Sequence, residues 1–268
     1  MRRHAGAVFL TCLLWSGVAC TEEISVPVDY EGHQIQLTGR FEKPAGPGPF
    51  PVAIALHDCG GMYQFYSSVP AWIALLQQQG YATLRLDSFT ARGYSTGVCS
   101  DVKAVSAAEH GLDALAAAYV LAGRPDVRPD RIAVIGWSHG AASAVYAARD
   151  HDNLRPWREK LATRGGKLVA SVALYGGCGR ADGYPVVVPL LLLLGAKDDW
   201  SSFNASCLAL ANAQAKPIVT VQVYPDAYHS FDTPGDAHYF LGHMLAYDAA
   251  ATADARIRVV EFLSRFLH

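Results

Sequence analysis

The sequence predicts an α/β fold: a mostly parallel central sheet with helices on both faces and an antiparallel hairpin at its N-terminal end. Three observations predict it. From residue 52 onward, short apolar runs alternate with segments of helix-favouring composition, as strands joined by crossover helices do. The apolar run Ile132-Ala133-Val134-Ile135 leads directly into Gly136-Trp137-Ser138-His139-Gly140 and then into helix formers at 141–149, so a strand turns sharply into a helix at a central serine. Acidic and histidine residues also stand just past the ends of later apolar runs, where the side chains of an open α/β sheet converge on one crevice.

The chain of 268 residues, 51% hydrophobic and 17% charged, suffices for one such domain with a full core. A net charge of −2, with no basic cluster after the first residues, points away from nucleic acid and from an acidic membrane surface. Residues 1–19 stand apart. Met1-Arg2-Arg3-His4 is a basic start, 5–18 are mostly apolar but short for a membrane span, and Gly17 and Ala19 are small residues at −3 and −1 of a cleavage point. This predicts a signal peptide over 1–19 and a mature domain over 20–268, exported to a periplasm or the outside with no transmembrane span in the mature chain. Gly17 stands where a lipid-attachment motif usually has Leu, which weakens a lipoprotein anchored through Cys20. Four of the six cysteines, Cys59, Cys99, Cys178 and Cys207, lie beyond the leader region. Three pairings are open to them; Cys178–Cys207 is favoured because both follow strands that should be neighbours, with Cys59–Cys99 as the complement and four buried thiols as the alternative.

In chain order, 24–30 and 33–40 each alternate polar with apolar residues around Glu31-Gly32, a hairpin. Residues 52–56 are continuously apolar, a central parallel strand, and end in His57-Asp58-Cys59-Gly60-Gly61. A helix is expected over 70–79, a strand over 81–86, a loop over 88–100, and a long Ala-rich helix over 101–121 capped by Asp101. Beyond the 132–140 unit, 150–166 is polar. Strands follow at 168–175, 186–194 and 217–224, loop then helix at 201–214, a loop at 226–239, and an amphipathic helix at 250–267 facing inward through Ile257, Val260, Phe262, Leu263 and Phe266.

A serine hydroxyl is a weak nucleophile until a base within hydrogen-bond reach takes its proton, and that base needs an orienting group. Past the strand at 186–194 come Gly195-Ala196-Lys197-Asp198-Asp199; past 217–224 comes His229. Ser138, Asp198 and His229 therefore appear in the order Ser…Asp…His. Asp198, third after the strand-ending glycine, is preferred over Asp199, and His229 over His238 and His243, which lie further from a strand end. The backbone N–H groups of Cys59 and His139 are the candidate oxyanion donors. No metal motif or phosphate loop is found, so no cofactor is expected. Loops at 63–68, 88–100 and 199–203 should line the pocket, with Tyr66, Phe89 and Trp200 as contacts.

The motifs His57-Asp58-Cys59-Gly60-Gly61, Gly136-Trp137-Ser138-His139-Gly140, Gly195-Ala196-Lys197-Asp198 and Tyr228-His229-Ser230-Phe231, in that order, resemble those of the dienelactone hydrolase family within the α/β-hydrolase superfamily. The resemblance covers about residues 52–267. It implies a sheet without a large lid, a small-molecule ester or lactone as substrate, Ser138 as nucleophile, His229 as base, Asp198 as its orienter, and Cys59 and His139 as oxyanion donors. Two departures stand out. Dienelactone hydrolases proper use a cysteine nucleophile, and they hold a substrate carboxylate with two arginines. Arg92 could match one of them; where the other belongs, this chain has Asp232-Thr233-Pro234. Asp58 matches an acid that the family couples to its nucleophile, and with a serine there it is expected to order its loop. The expectation is an exported serine hydrolase, with a peptidase or acyltransferase on the same fold, or a silent binding protein, as alternatives.

Overall fold

A computed structural model describes residues 20–30, 32–62, 68–179, 183–200, 204–214 and 218–268. The expected leader, 1–19, lies outside the described residues. Strands β1 (Cys20–Tyr30) and β2 (His33–Lys43) form the expected hairpin, closing on the pair Tyr30–His33. There follow β3 (Phe50–Leu56), α1 (Ser68–Gln78), β4 (Ala82–Asp87), α2 (Ala107–Ala122), β5 (Val127–Trp137), α3 (His139–Ala147), α4 (Arg155–Ala162), β6 (Leu168–Leu174), β7 (Leu190–Gly195), α5 (Asn204–Asn212), β8 (Val219–Tyr224), the short pair β9 (His238–Phe240) and β10 (His243–Leu245), and α6 (Ala249–Leu267).

Eight strands make one sheet in the order β1-β2-β4-β3-β5-β6-β7-β8. β2 runs antiparallel to β1 and β4, and every pair from β4 to β8 is parallel. This is the α/β-hydrolase fold. The central strands are apolar throughout because both faces are covered. In β3, Ile54 faces the core under α2 and α3, while Ala53 and Ala55 face the core that includes Trp72 of α1 and Phe262 and Leu263 of α6. β5 alternates in the same way, Val134 to the first core and Ala133 and Ile135 to the second. Among the described residues no helix is long and apolar enough to cross a membrane.

Three expectations need correction, and the polar stretch 150–166 adds an element. The long helix starts at Ala107, not Asp101: Ser106 accepts the Glu109 N–H and the Glu109 carboxylate accepts the Ser106 N–H, a reciprocal cap, while 101–105 fold into turns. The polar stretch 150–166 holds α4, whose Trp157 and Leu161 are buried and whose Arg158 donates to the Ala147 carbonyl at the end of α3. β7 begins at Leu190, because the N–H groups of Val187 and Val188 turn to the Ala148 carbonyl instead of a neighbouring strand. In α6, Ile257 is 58% exposed, and the inward face is Ala251, Ala255, Val259, Phe262, Leu263 and Leu267.

Candidate active site

Ser138 stands between the last residue of β5 and the first of α3, with φ 50° and ψ −112°. A left-handed φ is costly for a serine, on the order of 1–3 kcal/mol, and its surroundings impose it. A Cβ on Gly136 would stand 2.0 Å from the Gly140 carbonyl oxygen, and one on Gly140 would stand 2.1 Å from that of Leu56. Only glycine lets the strand end and the helix start approach this closely, so the turn presents Ser138 at its apex.

His229 lies in the loop after β8. Its Nε2 is 2.9 Å from Ser138 Oγ and its Nδ1 is 2.9 Å from Asp198 Oδ2. Both the histidine and the aspartate are buried. With Nδ1–H donating to the carboxylate, Nε2 is left with a lone pair towards the serine hydroxyl. The other Asp198 oxygen accepts the backbone N–H of Trp200 at 3.0 Å. Asp199 points elsewhere: it is about half exposed, and its Oδ1 is 3.5 Å from His243 Nδ1. Of the two adjacent acids, Asp198 is thus the one the fold brings to His229.

The His229 loop is anchored by Asp232, the acid that stands where the family resemblance would place an arginine. Asp232 is fully buried and accepts from Trp72 Nε1 at 2.6 Å and from Tyr175 OH at 2.8 Å. The Tyr175 ring in turn packs edge-on against His229, with centroids 5.0 Å apart. Tyr175 and Ser230, like Ser138, have positive φ. Strained backbone is therefore gathered at two strand ends and in the His229 loop, around one site.

Cys59 follows β3 and is tied to Cys99 by a disulfide; its carbonyl accepts the Val98 N–H at 2.7 Å. The second expected pairing, Cys178–Cys207, is also formed. Around Cys59 lies a chain of buried histidines. His57 Nε2 accepts the Ser88 N–H at 3.2 Å, so its proton is on Nδ1, which donates to the Asp58 carbonyl at 2.8 Å. His139 donates through Nε2 to the Val105 carbonyl at 2.8 Å, which leaves its Nδ1 to accept from His110 Nδ1 at 3.3 Å. Burial holds all three rings neutral: it lowers His57 to about 4, His139 below its ordinary value and His110 well below. The His139 side chain is thereby committed to holding the 101–106 loop and is not available as a base.

Burial also pushes the Asp58 carboxyl up to about 8, with the Asp232 charge adding and the bond from the Gly60 N–H, 2.6 Å, opposing. A folded value above the ordinary 3.8 means that the folded state keeps a proton the unfolded chain releases, so stability falls as pH rises from about 4 to about 8. Asp58→Asn keeps the acceptor for Gly60 and removes the titration. The variant is expected to gain on the wild type by at most ~1.4 kcal/mol per pH unit between pH 5 and pH 8, measured by urea unfolding at the two pH values.

Cys59, Ser138, His139 and Trp200 line one cavity of about 400 Å³, completed by Val102, Ala107, Ala142, Gly177 and Gly179. Two expected pocket residues are not among them. Arg92 is spent on Asp113, with contacts of 2.7 and 2.9 Å, and on the Ser88 carbonyl at 2.6 Å, and only 7% of its side chain is exposed. Phe89 is buried and packs on His57 and His139. Tyr66 lies outside the described residues. Among the described residues, the cavity wall carries no arginine, lysine or carboxylate side chain.

Residues 159–267 match the model of the dienelactone hydrolase family. Among solved structures, the chain is similar to a dienelactone hydrolase-like promiscuous phosphotriesterase from metagenomic libraries, at 21% identity over 92% of this chain and 99% of that one, with a TM-score of 0.67. It is similar to the dienelactone hydrolase of Anabaena variabilis, at 20% identity over 93% and 99% with a TM-score of 0.65, and to Est1E from Butyrivibrio proteoclasticus, at 15% over 90% and 98% with a TM-score of 0.58. No curated protein matches in sequence. The likeness to the dienelactone hydrolase family is thus in sequence over 159–267 and in fold over nine-tenths of the chain.

Proposed function

From a dienelactone hydrolase family match and an α/β-hydrolase fold, we propose that this protein is an exported serine hydrolase that cleaves carboxylic esters or lactones. The observation that carries the reading is the relay Asp198–His229–Ser138, with both contacts at 2.9 Å, opening on the cavity. His229 Nε2 takes the proton of Ser138 as Oγ attacks the carbonyl carbon. The N–H groups of Cys59 and His139 receive the tetrahedral oxyanion. Collapse expels the alcohol, which leaves with the proton from His229. Water then enters, gives its proton to the same nitrogen and attacks the acyl-enzyme, freeing the acid and Ser138.

The wall chemistry of the described residues supports uncharged substrates. A carboxylate-bearing dienelactone would need a cation in the cavity, and Arg92 is already paired with Asp113. Neutral esters that fit about 400 Å³ suit the lining better. Two disulfides support folding in an oxidising compartment, as the leader-like start at 1–19 does, with 20–268 as one mature domain.

The reading is tested on the purified mature protein with a fluorophosphonate probe and a panel of 4-nitrophenyl esters. The expected result is one stoichiometric adduct on the peptide that contains Ser138, with turnover of the shorter esters. An unreactive serine together with no turnover across the panel would overturn it.

A further inference from the structure

His243 is a histidine that the relay leaves unused, yet it lies one ring away from it. The Trp200 indole has an imidazole stacked on it from His243, with centroids 4.8 Å apart and planes at 21°, and it packs on His229 at 5.1 Å and 31°. Each of these imidazoles has a carboxylate of its own at Nδ1, from consecutive residues: Asp198 for His229 and Asp199 for His243. Phe240 adds a third ring against Trp200 at 5.7 Å. Trp200 thus meets the acid, the base and the cavity. Its backbone N–H holds Asp198, its ring covers His229, and its side chain lines the cavity beside Ser138.

Two of the three rings against the indole come from the β9–β10 hairpin, Phe240 from one strand and His243 from the other. The hairpin also reaches the base through the backbone, where Leu245 of β10 forms a parallel bridge to His229. A three-residue strand pair with little core of its own is marginal in water unless it packs on something. Here it packs on the wall of the cavity and on the loop of the base.

We infer that His243, backed by Asp199, is a positioning residue that fixes Trp200 as the aromatic wall of the cavity, so that the β9–β10 hairpin sets selectivity for neutral esters bearing an aromatic group. The inference rests on the serine hydrolase reading for its chemistry, but not for its geometry. An indole held in one orientation offers a flat apolar face on which an aromatic acyl or alcohol group gains over an aliphatic one of similar size. An indole free to turn offers the same atoms at a larger entropic cost to the ligand.

The test compares wild type, His243→Ala and His243→Phe with benzyl butyrate, ethyl 4-phenylbutyrate and ethyl butyrate. His243→Ala should raise KM for at least one aromatic ester roughly three- to tenfold, with kcat and the KM of ethyl butyrate changed less than twofold. His243→Phe keeps a ring against the indole and should restore the aromatic KM. Unchanged KM in His243→Ala, or an equal loss on all three esters that phenylalanine does not restore, would overturn the inference. Calorimetric binding of benzyl butyl ether, which cannot be hydrolysed, separates this from the parent reading. If no ester turns over and the serine is unreactive to the phosphonate, the hydrolase assignment fails, while weaker ether binding to His243→Ala than to wild type still supports the positioning role and equal binding refutes it.

Discussion

Replacing Ser138 by alanine is expected to abolish the phosphonate adduct and to lower kcat for a 4-nitrophenyl ester by about 10⁴- to 10⁶-fold, about 5–8 kcal/mol of barrier. The hydroxyl is the atom that would form the acyl bond, and among the described residues no other hydroxyl or free thiol lines the cavity. His229→Ala should lose a comparable factor, since the serine without Nε2 keeps its proton. The double variant should be no worse than either single one, because the two groups act as a unit. KM should change little, as the apolar wall remains. Intact-mass labelling and single-turnover kinetics measure the effect. A Ser138→Ala protein that still formed an adduct, or kept more than about a hundredth of its activity, would place the chemistry elsewhere.

The fold was legible because its strands are buried on both faces, so they read as continuous apolar runs that helix-favouring segments separate. The relay positions were legible for a related reason: parallel strands end on one side, so Ser138, Asp198 and His229, each just past a strand, had to converge. Features that depend on contacts between distant residues stayed hidden. Arg92 read as a free cation in a loop, but its partner Asp113 sits 21 residues on in an Ala-rich helix. An acid in the middle of such an Ala-rich helix is the signal that it has a partner. Asp232 read only as a missing arginine, because the groups that bind it, Trp72 and Tyr175, are 160 and 57 residues away. The β9–β10 hairpin was hidden by its turn. Its central residues Leu241 and Gly242 both have positive φ, as a tight two-residue hairpin requires, and Leu-Gly lacks the Asn or Asp that usually signals one. The helix start at Ser106 did carry its signal, a Ser three residues before a Glu, but Asp101 offered an earlier cap that the turns at 101–105 exclude.

The neighbouring acids Asp198 and Asp199 make the sharpest comparison. Asp198→Asn should lower kcat by about 10⁴-fold near neutral pH, whereas Asp199→Asn should keep kcat within about threefold. The shape change is the same in both, so the difference isolates what the charge does. At Asp198 the carboxylate accepts from His229 Nδ1 and, through its other oxygen, from the Trp200 N–H. It therefore fixes the tautomer with a bare Nε2 facing Ser138 and stabilises the cation formed once that nitrogen takes the proton. An asparagine whose oxygen stays with the Trp200 N–H presents its NH₂ to Nδ1. That donor needs a lone pair there, which moves the ring proton to Nε2, and the base then has nothing with which to accept from the serine. The pair is buried, so water cannot substitute for the lost charge. At Asp199 the carboxylate is about half exposed and 3.5 Å from His243, where solvent screens it and no proton transfer depends on it. Steady-state kinetics at pH 7 give the ratio, and raising the pH distinguishes tautomer loss from simple unfolding: Asp198→Asn should remain folded and labelled only slowly by the phosphonate across the range. Equal effects of the two substitutions would mean that His229 is oriented by the loop alone, through Tyr175 and Asp232, and that the acid beside it serves packing instead of catalysis.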